Sequence, residues 1–135
     1  MKDLTFVAEH HYSRSSIGIE VPVTLSWGNS RKVPVLAKVD TGADFCYFQR
    51  EYAEQLGIDV ESGFHQVVKT AAGTFDSYGH EVTVQCFGWS FETTVYFAAL
   101  PNFSRNVVGR EGWLQNFRLG IIHHDSTLLL SRYED

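Results

Sequence analysis

The sequence predicts an all-β domain, single over residues 1–135, with one or two short helices. Three observations carry that reading. Runs of strand length rich in Val, Ile, Thr, Tyr, Phe and Trp recur along most of the chain. Clusters of Gly, Asn, Ser and Asp separate them. No internal repeat, long linker or low-complexity stretch divides the chain, so one core is expected; 135 residues suffice to bury it, and pairing of subunits would add apolar burial.

Residues 18–26 and 32–39 are β-rich and flank Trp27-Gly28-Asn29-Ser30-Arg31, whose glycine and asparagine suit a hairpin turn. Pro22 and Pro34 lack an N–H to give a ladder, which places them at edges or strand starts. Residues 45–48 form a short strand. Residues 50–56 then read as a helix stopped by Gly57. Residues 64–70 and 75–87 bracket Ala71-Ala72-Gly73-Thr74, a hairpin tip of small residues. Residues 89–100 follow Gly88 as a strand with polar and apolar residues alternating. A second helix is expected over 111–116, and the chain closes in a hairpin, 118–123 against 127–132, turning at Asp125-Ser126. Leu128-Leu129-Leu130 does not alternate, which marks a strand covered on both faces, either inside one chain or in a sheet shared by two.

With 16 Asp and Glu against 11 Lys and Arg, the formal charge of −5 gives no footprint for nucleic acid or an anionic membrane. No apolar run approaches the roughly 20 residues of a membrane span, and residues 1–11 lack the apolar centre of a signal peptide. The expected location is the cytoplasm. Cys46 and Cys86 have neither the C-x-x-C spacing of a metal or redox site nor the number of a disulfide framework, and are expected reduced. Cys46 with His65 or His80 would make a thiol dyad, but no local signature supports one. The neighbouring pairs His10-His11 and His123-His124 would point to opposite faces of a strand, so neither suits two-point metal ligation, and no metal is expected. Trp27, Trp89 and Trp113 are spread through strand segments and are read as core.

The chemistry-bearing segment is Asp40-Thr41-Gly42-Ala43, which occurs once and follows the apolar run Val33-Pro34-Val35-Leu36-Ala37-Lys38-Val39. A carboxylate at a strand end, followed by a hydroxyl and a glycine, equips a chain for acid–base hydrolysis. Gly42 lets two such loops approach closely, and Thr41 can hydrogen-bond across the approach. Two carboxylates at near-contact distance cannot both ionise, so they share a proton, one acting as base and the other as acid on a water between them. One such carboxylate per chain implies a homodimer with the site on its two-fold axis and no cofactor. Three residues alone recur by chance in a few per cent of chains this long. The strand before Asp40, the hairpin near Gly73, and Asn106-Val107-Val108-Gly109-Arg110 ahead of a short helix add the context.

In that order of motifs the chain resembles the retropepsins, dimeric aspartic proteases of retroviruses and their cellular and bacterial relatives. The resemblance spans residues 17–132, rests on Val39-Asp40-Thr41-Gly42-Ala43-Asp44 and Val107-Val108-Gly109-Arg110, and leaves residues 1–16 without a counterpart. It implies a closed or partly open barrel with a flap hairpin, and a homodimer cutting an extended polypeptide. It further implies Asp40 as catalytic carboxylate, Thr41 as the brace across the axis, Gly42 and Ala43 as loop-shaping residues, and Ala43 and Asp44 at the substrate. Asp44 would form a buried pair with Arg110. Val107, Val108 and Gly109 would pack beneath the loop, and Ala71, Ala72, Gly73 and Thr74 would form the flap tip. Viral flaps are glycine-rich, whereas Gly73 is the single glycine here before the bulky Phe75. The alternatives are a peptide-binding or dimerisation module of the same fold that no longer cleaves, or a domain in which Asp-Thr-Gly is coincidental.

Overall fold

The computed structural model describes residues 1–135, as ten strands and one α-helix. β2 (Glu20–Ser26) and β3 (Val33–Val39) form the expected antiparallel hairpin. Val21, Val23 and Leu25 face Val33, Val35 and Ala37 in the core, and all six are buried. Leu36, on the opposite face, is 54% exposed, so the alternation that defines a half-buried strand is intact. β2 pairs with a further strand only from Thr24 onward, and β3 only at Lys38 and Val39, so Pro22 and Pro34 each sit where one strand edge is free.

β4 is shorter than expected, Tyr47–Phe48, and lies between β8 (Val107–Val108) and β7 (Trp89–Ala98). α1 (Arg50–Leu56) follows and ends as predicted: Gly57 adopts φ 84°, and its N–H caps the carbonyls of Ala53 and Glu54. β5 (Phe64–Thr70) and the long β6 (Gly73–Cys86) form a hairpin, and β6 pairs along β7. The order β2-β3-β8-β4-β7-β6-β5, with β6 returning to β2, makes a ring that is not a clean barrel; β5 stands outside it. Its interior holds Leu25, Phe48, Val84, Val95, Phe97 and Trp113 among the fully buried side chains.

Residues 111–116 depart from the helix expected there. Only Leu114–Asn116 form a 3-10 turn, because Gly112 takes φ 99° and Trp113 is non-helical. Gly112 is also packed tightly: an added Cβ would meet the Thr94 carbonyl at 3.0 Å.

A second sheet, β1-β10-β9, closes the chain. β9 (Phe117–Ile122) and β10 (Thr127–Arg132) form the expected hairpin, turning through a 3-10 segment to Ser126 at φ 52°. The third strand, β1 (Ala8–His11), comes from the N-terminal segment and pairs with β10. That segment is therefore part of the domain, and Tyr12 joins the core. The Leu128–Leu130 run belongs to this intrachain sheet. Leu128 and Leu130 are fully buried on its inner face. On its outer face Gly120 leaves room for Phe6, whose ring an added Cβ would meet at 3.1 Å, with Leu129 at 3.6 Å. No helix is long and apolar enough to cross a membrane.

Candidate active site

The Asp40 loop is positioned by backbone hydrogen bonds before any side chain is considered. The Asp40 N–H donates to the Val108 carbonyl (3.0 Å), fixing the end of β3 against β8. Arg110 N–H donates to the Ala43 carbonyl (2.9 Å), and Glu111 N–H to that of Asp44 (2.8 Å). Gly109 makes this approach possible: a Cβ there would lie 2.2 Å from the Phe45 carbonyl oxygen and 2.7 Å from that of Ala43. Val107, Val108 and Gly109 thus pack beneath the loop, which argues against a coincidental Asp-Thr-Gly. Asn106 secures the same corner: its carbonyl accepts Lys38 N–H, its Oδ1 accepts the backbone N–H of Gln49 just before α1, and its Nδ2 donates to Gln49 Oε1.

Asp40 is half-buried, and its Oδ1 accepts the Gly42 N–H at 2.9 Å. That bond holds one carboxylate oxygen in the loop and leaves the other available. Thr41 and Gly42 are exposed, and the Thr41 hydroxyl has no hydrogen-bond partner within the chain. Asp44 and Arg110 do pair, at 2.5 Å, but not as a buried pair: their side chains are 68% and 56% exposed. Both project from loops at the surface, and water screens what they gain.

Asp40 fronts a cavity of about 590 Å³. One wall is the loop from Asp40 to Asp44 with Tyr47; the other is the hairpin of β5 and β6, contributing residues 66–70, Ala72 and Phe75. Of the expected flap-tip residues, Ala72 lines the cavity and Ala71, Gly73 and Thr74 do not. The tip is also shorter than expected. Gly73 and Thr74 already pair with Thr70 and Lys69, leaving Ala71-Ala72 as the connection, which Thr70 Oγ1 clamps by donating to the Gly73 carbonyl. Gly73 supplies the required positive φ of 127°.

Sequence reasoning missed the third wall, Asn102, Phe103, Ser104 and Arg105. Its signal was present: Pro101-Asn102 interrupts the strand pattern six and five residues before Val107, so the intervening loop must rise beside the Asp40 segment. Phe75 reaches this wall from the flap, with ring centroids 4.5 Å from Phe103 and 5.9 Å from Tyr47.

The thiol dyad has no basis in this arrangement. Cys46 is 1% exposed, and burial pushes its thiol up to about 12, far from the thiolate a nucleophile needs. His80 is committed to the Val60 carbonyl and His65 to Asp76, both at 2.8 Å.

The fold matches solved structures closely enough to compare. A retropepsin-like aspartic protease from Rickettsia conorii superposes with a TM-score of 0.64 at 22% identity, over 93% of this chain and 99% of that one. The EIAV protease complexed with the inhibitor HBY-793 gives a TM-score of 0.55 at 17% identity, over 73% of this chain and 86% of that one. No curated protein matches the chain. The family model for aspartyl protease matches residues 21–110, which run from the first core strand through the Asp40 loop, the flap and the Val107-Val108-Gly109-Arg110 brace. With that match over the greater part of its length, and a retropepsin-like fold around the braced carboxylate, the chain belongs to the aspartyl protease family.

Proposed function

We propose that two copies of this chain assemble into an aspartic endopeptidase that hydrolyses peptide bonds in extended polypeptides, each copy supplying one Asp40. The observation that carries the reading is a half-buried Asp40, held by Gly42 N–H and braced by Val108, at the mouth of a cavity roofed by a hairpin. In the symmetric pair one Asp40 is ionised and one protonated. The ionised carboxylate takes a proton from a water as its oxygen attacks the scissile carbonyl. The protonated carboxyl hydrogen-bonds to the carbonyl oxygen; collapse of the tetrahedral species sends a proton to the leaving amine and breaks the C–N bond. The pair ends with one shared proton, as it began.

Thr41 fits the bracing role across the two-fold axis, since its exposed hydroxyl has no partner in its own chain. The substrate would lie between the loop and the hairpin as an added strand, with Ala43, Asp44 and Ala72 along its path. Residues 1–135 act as one domain in this reading. The two unpaired buried cysteines fit a reducing compartment such as the cytoplasm.

A second reading is favoured by the flap tip, which has a single glycine, and by Phe75, which is seated against Phe103. A flap held in this way suits a module that binds peptide without cutting it. The test is cleavage of a diverse peptide pool, from acidic to neutral pH, by wild type and by Asp40→Asn. New termini from wild type alone are expected. Equal cleavage by the folded variant would overturn the peptidase, and no cleavage by a protein shown to be dimeric would favour the binding module. Thr41→Ala is expected to shift sedimentation toward monomer; an unchanged dimer constant removes Thr41 from the interface.

A further inference from the structure

The charges around the cavity are not balanced in the way the chain's composition suggests. Overall the protein carries a net charge of −5, yet two exposed cations, Lys69 on the β5 strand of the flap and Arg105 on the loop before β8, are among the residues lining the cavity. Neither forms an ion pair or a side-chain hydrogen bond within the chain, whereas Arg50, Arg110 and Arg132 all hold carboxylates. Of the carboxylates that line the same cavity, Asp44 is engaged by Arg110. The other is Asp40, which in the paired reading carries one negative charge between two protomers. Each protomer thus offers two uncommitted cations against half a negative charge.

Between those cations the cavity is apolar and aromatic, through Tyr47, Phe75 and Phe103. A surface of that kind packs against the methylene stem of a long side chain while its charged end stays at the exposed rim.

We propose that this cavity selects peptides carrying an acidic side chain, glutamate above all, close to the bond that is cut, with the carboxylate held by Arg105 and Lys69 and the stem packed on Phe75 and Phe103. The inference rests on the peptidase reading for the word "cut", but its physical content is a binding preference. Arg105 supplies a planar donor fork suited to a carboxylate, and Lys69 a mobile point charge that travels with the flap. Because each protomer carries the same cavity, the preference falls on both sides of the scissile bond. Glutamine, equal in shape and neutral, is the discriminating comparison.

The experiment pairs cleavage with binding. Matched peptides bearing Glu or Gln beside the cleaved bond are compared for kcat/KM with wild type, Arg105→Gln, Lys69→Gln and Arg105→Glu. Wild type is expected to favour Glu roughly tenfold. Each neutral variant should reduce that ratio, and Arg105→Glu should reverse it in favour of Gln. A ratio near one for wild type, or one that survives in the Arg105→Gln, Lys69→Gln double variant, overturns the proposal while leaving the peptidase standing. The same peptides, fluorescently labelled, are titrated by anisotropy against Asp40→Asn protein. If no peptide is cleaved by protein shown to be dimeric, the binding module is favoured over the peptidase. The acidic preference is then upheld by tighter Glu binding that the double variant loses, and refuted by equal binding of Glu and Gln.

Discussion

The two walls that meet at the cavity are built in opposite ways. The Asp40 loop is fixed by main-chain hydrogen bonds to Val108, Arg110 and Glu111, with Gly109 pressed against two carbonyl oxygens. The flap hairpin is held to the rest of the domain near its tip by the aromatic contacts of Phe75, and residues 69–74 are exposed. One wall is specified by backbone geometry; the other, near its tip, is specified by side-chain packing. A catalytic carboxylate benefits from the first property and a roof over substrate from the second.

The largest effect should come from two glycines that test this contrast. Gly109→Ala places a methyl group 2.2 Å from the Phe45 carbonyl, inside a region with no slack, and is expected to cost about 4 kcal/mol. Gly73→Ala meets nothing within 4 Å and is opposed only by its φ of 127°. Strain of roughly 1–2 kcal/mol there can be relieved by local opening of the tip. Urea unfolding should therefore show a large fall in midpoint for Gly109→Ala and a small one for Gly73→Ala. Equal falls would mean that the tip is as tightly specified as the loop.

The rigid side also contains Cys46, directly behind the loop, and this gives the contrast a pH dependence. Burial raises the thiol from 9.0 to about 12, with the Gly109 backbone hydrogen bond opposing it weakly. A folded-state value above the unfolded one means that the neutral thiol's contribution is fully present below pH 9 and is lost as pH climbs from about 9 toward 12. Cys86, raised to about 11 by burial, and Tyr47, raised to about 12 chiefly by burial, act in the same direction. Stability is expected to decline through this alkaline window and to decline less steeply in Cys46→Ala. Below pH 9 a thiol reagent should leave Cys46 unmodified in the folded protein; rapid modification would show that the region behind the loop opens readily.

What the sequence disclosed follows the same division. The turn after β3 at Asp40-Thr41-Gly42 and the Gly57 stop of α1 were legible because each is set by residues within a few positions of itself, whereas the packing of Val107-Val108-Gly109 beneath the Asp40 loop joins distant segments and was expected only through the resemblance to retropepsins. The helix expected over 111–116 shrinks to a 3-10 turn because Gly112 is needed at a positive φ where Thr94 crowds it, a contact invisible in sequence. β1 was not legible because its four residues become a strand only through β10, more than a hundred positions away. The Asn102–Arg105 loop was signalled locally by Pro101-Asn102, but its place as a wall of the cavity was not, since that depends on Phe75 across the cavity. The pairing of Asp44 with Arg110 was foreseen, but it was expected to be buried and is exposed, since exposure depends on where both loops end.

The smallest of these effects should be the most informative about the flap. Phe75→Ala removes the ring that spans to Phe103 and Tyr47, contacts worth about 1 kcal/mol each as aromatic pairs. Phe75 is only partly buried, so the global cost should stay near the lower end of a core truncation, at roughly 1–2 kcal/mol. The local cost should be concentrated in the hairpin. Amides of β5 and of the first turns of β6 should exchange faster with solvent, while those of Asp40, Arg110 and Glu111 keep their protection. If the Asp40 loop loosened in step with the flap, the two walls would form one cooperative unit, and Phe75 would be a structural strut rather than a latch. If only the hairpin responds, the flap moves independently of the carboxylate it covers. Peptide binding should then weaken in Phe75→Ala without a matching loss of fold stability.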